Sequence, residues 1–177
     1  MFSDSPDQLR KAIRDVPDFP KPGILFKDIT PVLADPKLMQ AAIDGMIAPF
    51  AGQQIDKVVG IDARGFIFGA MIAQKLGAGF IPVRKKGKLP WKTHGVDYSL
   101  EYGTNSVEIH QDALAPGDRV LLADDLLATG GTAGAALKLI LDSGATLLGS
   151  TFFIELGFLE GRGKLPGGGP VHSLISF

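Results

Sequence analysis

Cysteine is absent from all 177 residues, which excludes disulfides, thiolate metal sites and cysteine nucleophiles and favours a cytoplasmic location. An excess of either charge is absent too. The 18 Lys and Arg nearly cancel the 19 Asp and Glu, and a net charge of -1 supplies no field for nucleic acid or a membrane surface. No apolar run approaches the length of a membrane span, and the N-terminal MFSDSPDQLRKAIRD lacks the apolar region of a signal peptide. There is no internal repeat and no linker, and His94 and His110 have no metal-ligand spacing. Two nucleotide signatures are also missing. No G-x-x-x-x-G-K-[ST] occurs, and GRGKLPG at Gly161 follows no strand, so it reads as a turn. What is present is a chain 45% hydrophobic with its glycines and prolines scattered, enough for one domain over 1–177 with a real core.

The most informative stretch is Arg119 to Ile140, RVLLADDLLATGGTAGAALKLI. Val120 to Ala123 form a short apolar run of the kind buried on both faces of a parallel sheet, closed by Asp124 and Asp125. From Thr132 the apolar spacing of Ala133, Ala136, Leu137, Ile140 and Leu141 is helical, with Gly144 as the stop. A loop with adjacent glycines that opens onto a helix exposes backbone N–H groups at the positive end of the helix dipole, which suits phosphate. Thr129 and Thr132 add hydroxyls. The two aspartates are the oddity, because carboxylates beside a phosphate site repel it unless something else needs them. Ionised carboxylates only accept hydrogen bonds, so sugar hydroxyls or a metal ion would suit them. Hydroxyls next to a phosphate mean a phosphorylated pentose.

Elsewhere the chain alternates. Ser5-Pro6 starts a helix to about Arg14, Phe19 to Gly23 is a rigid turn, and Asp35-Pro36 caps a helix to about Phe50. Lys57–Ile61 reads as a buried strand, Gly65–Leu76 as a helix stopped by Gly77, and Gly79–Arg84 as the returning strand. Ala145–Leu156 and Val171–Ile175 are further strands. The pattern predicts an α/β fold with an open, mainly parallel sheet flanked by helices and ligands at the strands' carboxyl ends. Residues 85–105 break the rhythm and read as a mobile lid, with a ribbon from Tyr98 to Glu101 and from Ser106 to His110.

The nonapeptide Asp124-Asp125-Leu126-Leu127-Ala128-Thr129-Gly130-Gly131-Thr132 resembles the phosphoribosyl pyrophosphate loop of type I phosphoribosyltransferases, in the version carried by members that act on adenine. The likeness runs from Pro20 to the last strand. It is densest there and at Leu100-Glu101-Tyr102-Gly103. It implies the type I fold with a lid and a small hood, and transfer of the 5-phosphoribosyl group to adenine, giving AMP and diphosphate in purine salvage. Mg²⁺ and a homodimer are implied with it. Ala128, Thr129, Gly130, Gly131 and Thr132 would hold the 5-phosphate, and Asp124 and Asp125 the ribose hydroxyls, directly or through Mg²⁺ held mainly by substrate and water.

The same resemblance places Arg64, in Asp62-Ala63-Arg64-Gly65, at the diphosphate, with the Asp62–Ala63 peptide cis. From that segment alone, Arg64 could equally cap local carbonyls. Arg84, Lys85 and Lys88 would join Arg64 as a cation cluster; alone they read as a solvated face. Glu101 would be the general acid/base near the purine, and Tyr102 would close over the ribose. Phe26 would cover one face of the base and Leu156 the other, while the main chain of Leu25, Phe26 and Lys27 reads its edge. Without the resemblance, Phe26 and Leu156 read as core.

Overall fold

The computed structural model describes residues 6–100 and 103–177. Helix α1 (Pro6–Ala12) is followed by β1 (Arg14–Pro17), β2 (Leu25–Asp28), α2 (Thr30–Ala34) and α3 (Pro36–Ile47). Then come β3 (Lys57–Ile61), α4 (Gly65–Leu76), β4 (Gly79–Lys85), β5 (Thr93–Leu100) and β6 (Gly103–His110). The chain ends with β7 (Arg119–Leu127), α5 (Gly131–Asp142), β8 (Thr146–Glu155) and β9 (Val171–Ser176). Short 3-10 turns cover Gly157–Leu159 and Gly161–Lys164.

Among the described residues the main sheet has seven strands in the order β5-β6-β4-β3-β7-β8-β9. From β4 to β9 the neighbours are parallel, whereas β6 runs antiparallel to β4 and β5 antiparallel to β6. The period of two along a strand explains why the apolar runs are continuous. Val58, Leu121 and Phe153 pack with Phe68 and Ile72 of α4 and Met46 of α3. Their neighbours Val59, Leu122 and Phe152 pack with Ala136, Leu137 and Ile140 of α5.

The chain leaves β3 for β4 through α4 on one face, and β7 for β8 through α5 on the other. The order therefore reverses between β3 and β7, and the crevice at their carboxyl ends is where an open α/β sheet places its ligand. Register brings Gly60 opposite Ala123, so the turn after Ile61 and the acids after Ala123 are neighbours.

Several expectations need correcting. Helix α1 stops at Ala12, short of Arg14, because Arg14–Pro17 pairs with Leu25–Asp28 as a separate two-stranded sheet. The turn between them contains a cis Phe19–Pro20 peptide. Strand β7 does not end at Ala123: β8 pairs with it to Leu127, so Asp124 and Asp125 lie within the strand. The ribbon expected in and after residues 85–105 is longer than its sequence signal. Residues 93–100 and 103–110 form a ribbon whose register spans Thr93↔His110 to Leu100↔Gly103, and Arg84 and Lys85 at the end of β4 pair with Glu108 and Val107 of β6. The buried Val107 and Ile109 alternate with polar residues, as expected of the ribbon strand read at Ser106 to His110.

At the opposite end of the sheet, Arg119 ties the start of β7 to Asp56. Its Nε donates to Oδ2 at 2.9 Å and its Nη2 to Oδ1 at 2.7 Å. These bonds, and then the Arg119 backbone N–H, hold the Asp56 carboxyl down to about 2 from 3.8. A depressed folded value means the stabilisation is complete above 3.8 and lost as pH falls through about 2. Arg119→Met is expected to lower the thermal midpoint by a few degrees at pH 7. In melts run at successively lower pH, the gap to the parent should close within that acid window.

Candidate active site

Three pieces of backbone meet at the crevice: the turn after β3, the last residues of β7, and the loop into α5. They line one cavity of about 390 Å³ formed by residues 61–64 and 124–133. Arg64, Asp124, Asp125, Ala128, Thr129, Gly130, Gly131 and Thr132 are thus brought together, as expected.

The two acids are almost fully buried, at 9% and 8% exposure for Asp124 and Asp125. The backbone N–H of Asp125 donates to Asp124 Oδ1 at 2.9 Å, and Asp125 Oδ2 meets Arg64 Nε at 2.6 Å. Burial, and then the charge of Asp125, push the Asp124 carboxyl well above the usual carboxylate range. Burial raises Asp125 as well, against the pull of Arg64. Arg64 favours the charged form of Asp125, whereas the charge of Asp125 disfavours that of Asp124. Gly65 makes room for this pair, since a Cβ there would lie 2.4 Å from Asp124 Oδ1.

The Asp62–Ala63 peptide is cis, as the resemblance implied. Asp62 accepts from Arg84 Nε at 2.9 Å, and Arg84 Nη1 donates to the Lys88 carbonyl at 3.1 Å. Arg84 thus braces the turn, and neither it nor Lys85 nor Lys88 lines the cavity.

The loop itself begins from the N–H of Leu156, which bonds the Leu127 carbonyl at 2.9 Å. Gly130, at φ +80°, turns the chain into α5. Thr132 Oγ1 lies 3.0 Å from Tyr98 Oη, a contact from the ribbon that nothing in the local sequence announced. Gly161, which opens a 3-10 turn in keeping with its reading as a turn, packs directly beneath the loop: a Cβ on it would sit 2.1 Å from the Ala128 carbonyl oxygen.

The residues expected to hold a base lie outside the cavity lining. Leu25 is exposed, and Phe26 is half-buried, edge-on to Phe19 at 5.1 Å and under the Arg64 guanidinium at 5.5 Å. The Lys27 ammonium is held by Asp15 at 2.6 Å and lies over the Phe177 ring. Leu156 is partly buried against the core. Glu101 and Tyr102 lie outside the described residues. His172 is structural, its Nε2 3.1 Å from the Gly45 carbonyl.

Residues 33–159 match the Phosphoribosyl transferase domain family. An adenine phosphoribosyltransferase of Anaeromyxobacter dehalogenans is 58% identical over 171 residues, covering 97% of this chain and 99% of its own. The crystal structure of adenine phosphoribosyltransferase from Rhodothermus marinus superposes with a TM-score of 0.93 at 55% identity, covering 97% of this chain and 98% of that one. The Saccharomyces cerevisiae enzyme, complexed with adenine and an imino-altritol bisphosphate, gives 0.91 at 41% identity, over 98% and 99% of the two chains.

Proposed function

The chain belongs to the phosphoribosyl transferase family, among its adenine-using members, and from that premise we infer its reaction. The 5-phosphoribosyl group of phosphoribosyl pyrophosphate passes to adenine, giving AMP and diphosphate. The observation that carries this reading is the single cleft in which buried acids, the Arg64 turn and the glycine loop converge.

Each part has a chemical assignment. The loop Ala128–Thr132 takes the 5-phosphate on its N–H groups and hydroxyls, and Asp124 and Asp125 take the ribose hydroxyls. As the bond from C1 to the diphosphate breaks, positive charge grows on the sugar ring and negative charge on the leaving group. Arg64 is set to stabilise the latter: its Nε faces Asp125, leaving the amino groups as the part directed to diphosphate, and the resemblance adds Lys85 and Lys88 to that role.

Among the described residues no cluster of three or more His, Cys, Asp or Glu could form a metal cage. The donor set here, two neighbouring carboxylates, fits Mg²⁺, which takes few protein ligands and completes its shell with water and substrate phosphates. Asp124 and Asp125 would hold it, and when bound it neutralises diphosphate charge.

Base recognition is assigned to Phe26 and Leu156 on the two faces and to the main chain at Leu25–Lys27. Because the Lys27 side chain is already engaged, its part in reading a base falls to its backbone. A carbonyl accepting from the adenine amino group and an N–H donating to ring N1 would both be mismatched by a 6-oxopurine. Sites of this kind discriminate by roughly 10⁴–10⁵. A homodimer and a cytoplasmic location complete the proposal. Ile67 and Met71, one turn apart on α4, are exposed apolar residues that a second copy would cover.

The test is direct. Incubated with phosphoribosyl pyrophosphate and Mg²⁺, the protein is expected to form nucleotide from adenine and not from hypoxanthine, guanine or orotate. Nucleotide from another base would reassign the specificity. Sugar-phosphate binding without turnover on any base would mean a sensor rather than an enzyme.

A further inference from the structure

A glycine-rich anion loop exposes its N–H groups only if its carbonyls are directed elsewhere, and a loop this short makes few contacts of its own. What lies behind Ala128–Gly130 is the 3-10 turn Gly161–Lys164, and the fit is backbone against backbone. A Cβ on Gly161 would come within 2.1 Å of the Ala128 oxygen and 2.8 Å of the Gly130 nitrogen. The contact is reciprocal, since a Cβ on Gly130 would lie 2.3 Å from the Gly161 oxygen. Further along, a Cβ on Gly134 in α5 would lie 3.2 Å from the Lys164 carbonyl oxygen. Only glycine at 161 permits this approach.

A single 3-10 turn does not hold its own position, and Arg162 supplies the anchor. Its Nε donates to Glu155 Oε1 at 3.1 Å, and an amino group donates to the other carboxylate oxygen. The guanidinium also donates to the Val171 carbonyl at 2.6 Å and reaches Ser173 Oγ at 3.3 Å. Glu155 is nearly buried and sits in register with Leu127, the last strand residue before the loop. The fork therefore pins the turn to the carboxyl end of β8 and the first half of β9.

We propose that Gly161 and Arg162 form a positioning element of the 5-phosphate site. Gly161 sets the curvature of Ala128–Gly130, and Arg162, through Glu155, holds Gly161 in place. Neither touches substrate. The inference rests on the reading of this loop as the 5-phosphate site.

Arg162→Gln removes the fork. It is expected to raise KM for phosphoribosyl pyrophosphate about tenfold, since small misplacements of a binding group are that costly. Its kcat and the KM for adenine should stay within about twofold of the parent. Binding of ribose 5-phosphate, followed by calorimetry, should weaken in parallel. Arg162→Lys should recover only part of the loss, because an ammonium cannot span both carboxylate oxygens. Gly161→Ala, with Arg162 intact, should weaken ribose 5-phosphate at least as much. A lowered thermal midpoint with unchanged KM and unchanged ribose 5-phosphate affinity would show that the fork only stabilises the fold, and would overturn the proposal. If the parent protein itself binds no ribose 5-phosphate, the functional reading fails first and the proposal with it.

Discussion

Glu101→Ala is expected to lower kcat by about 10²–10⁴, the usual contribution of a positioned proton-transfer group. When adenine N9 bonds to the ribose C1, the proton on the purine ring must leave, and a carboxylate is a suitable acceptor. The described carboxylates of the cavity already have other work. Asp62 receives Arg84, Asp125 receives Arg64, and Asp124 receives the Asp125 N–H. The resemblance of Leu100–Gly103 to its family assigns the proton to Glu101. Glu101→Gln keeps the size and hydrogen-bonding reach of the side chain but cannot take up a proton, so it should fall about as far as alanine. The KM for phosphoribosyl pyrophosphate should change little in either variant. Rapid-quench measurement of the chemical step is the decisive readout, and a near-normal rate in the glutamine variant removes Glu101 from this role.

Asp124→Asn should act in opposite directions on stability and on catalysis. The Asp124 carboxyl is raised above its ordinary 3.8 chiefly by burial and then by Asp125. A raised folded value favours the protonated form, so the group stabilises most below 3.8, and that contribution is lost as pH rises through the folded value. At pH 7 the native protein therefore bears a cost that a neutral isostere does not. Asparagine can still accept the Asp125 N–H through its side-chain oxygen. The variant is expected to gain on the order of 1 kcal/mol at pH 7, in the range of other relieved site residues, and the gain should vanish below about pH 4.

Catalysis should suffer. A carboxylate accepting from ribose hydroxyls makes charge-assisted bonds worth about 1.5–3 kcal/mol, so kcat/KM should fall roughly 10–150-fold. Urea melts at several pH values and steady-state kinetics together test both halves. A variant less stable than its parent at pH 7 would mean that Asp124 bears its burial without strain. A variant of normal activity would remove it from the ribose.

The stretch from Asp124 to Thr132 was legible because its chemistry is local. An apolar run, two acids, adjacent glycines and a helical period follow one another in a single segment, and each depends on near neighbours. The βα units around Lys57–Leu76 were legible for the same reason, including the stop at Gly77, whose φ is +67°. The ends of strands were less so. Whether β7 stops at Ala123 or continues to Leu127 depends on β8, which has its own sequence reasons to run on to Glu155. The ribbon was legible in part, from Tyr98 and from Ser106 to His110, where Val107 and Ile109 alternate with polar residues, but its start at Thr93 was not. Its place was set by pairing with β4 at Arg84 and Lys85.

By itself the sequence determined the class of molecule: an α/β fold with a mainly parallel sheet, and a loop at Asp124–Thr132 whose resemblance names the family and its base. Only the tertiary structure decided how the charges are shared. Arg64 takes Asp125, Arg84 takes Asp62 and Arg162 takes Glu155, each a choice among many cations and acids. Such pairings span gaps in sequence that no period or motif bridges. They are settled by which strand ends the sheet order makes adjacent, and by burial that penalises any charge left without a partner.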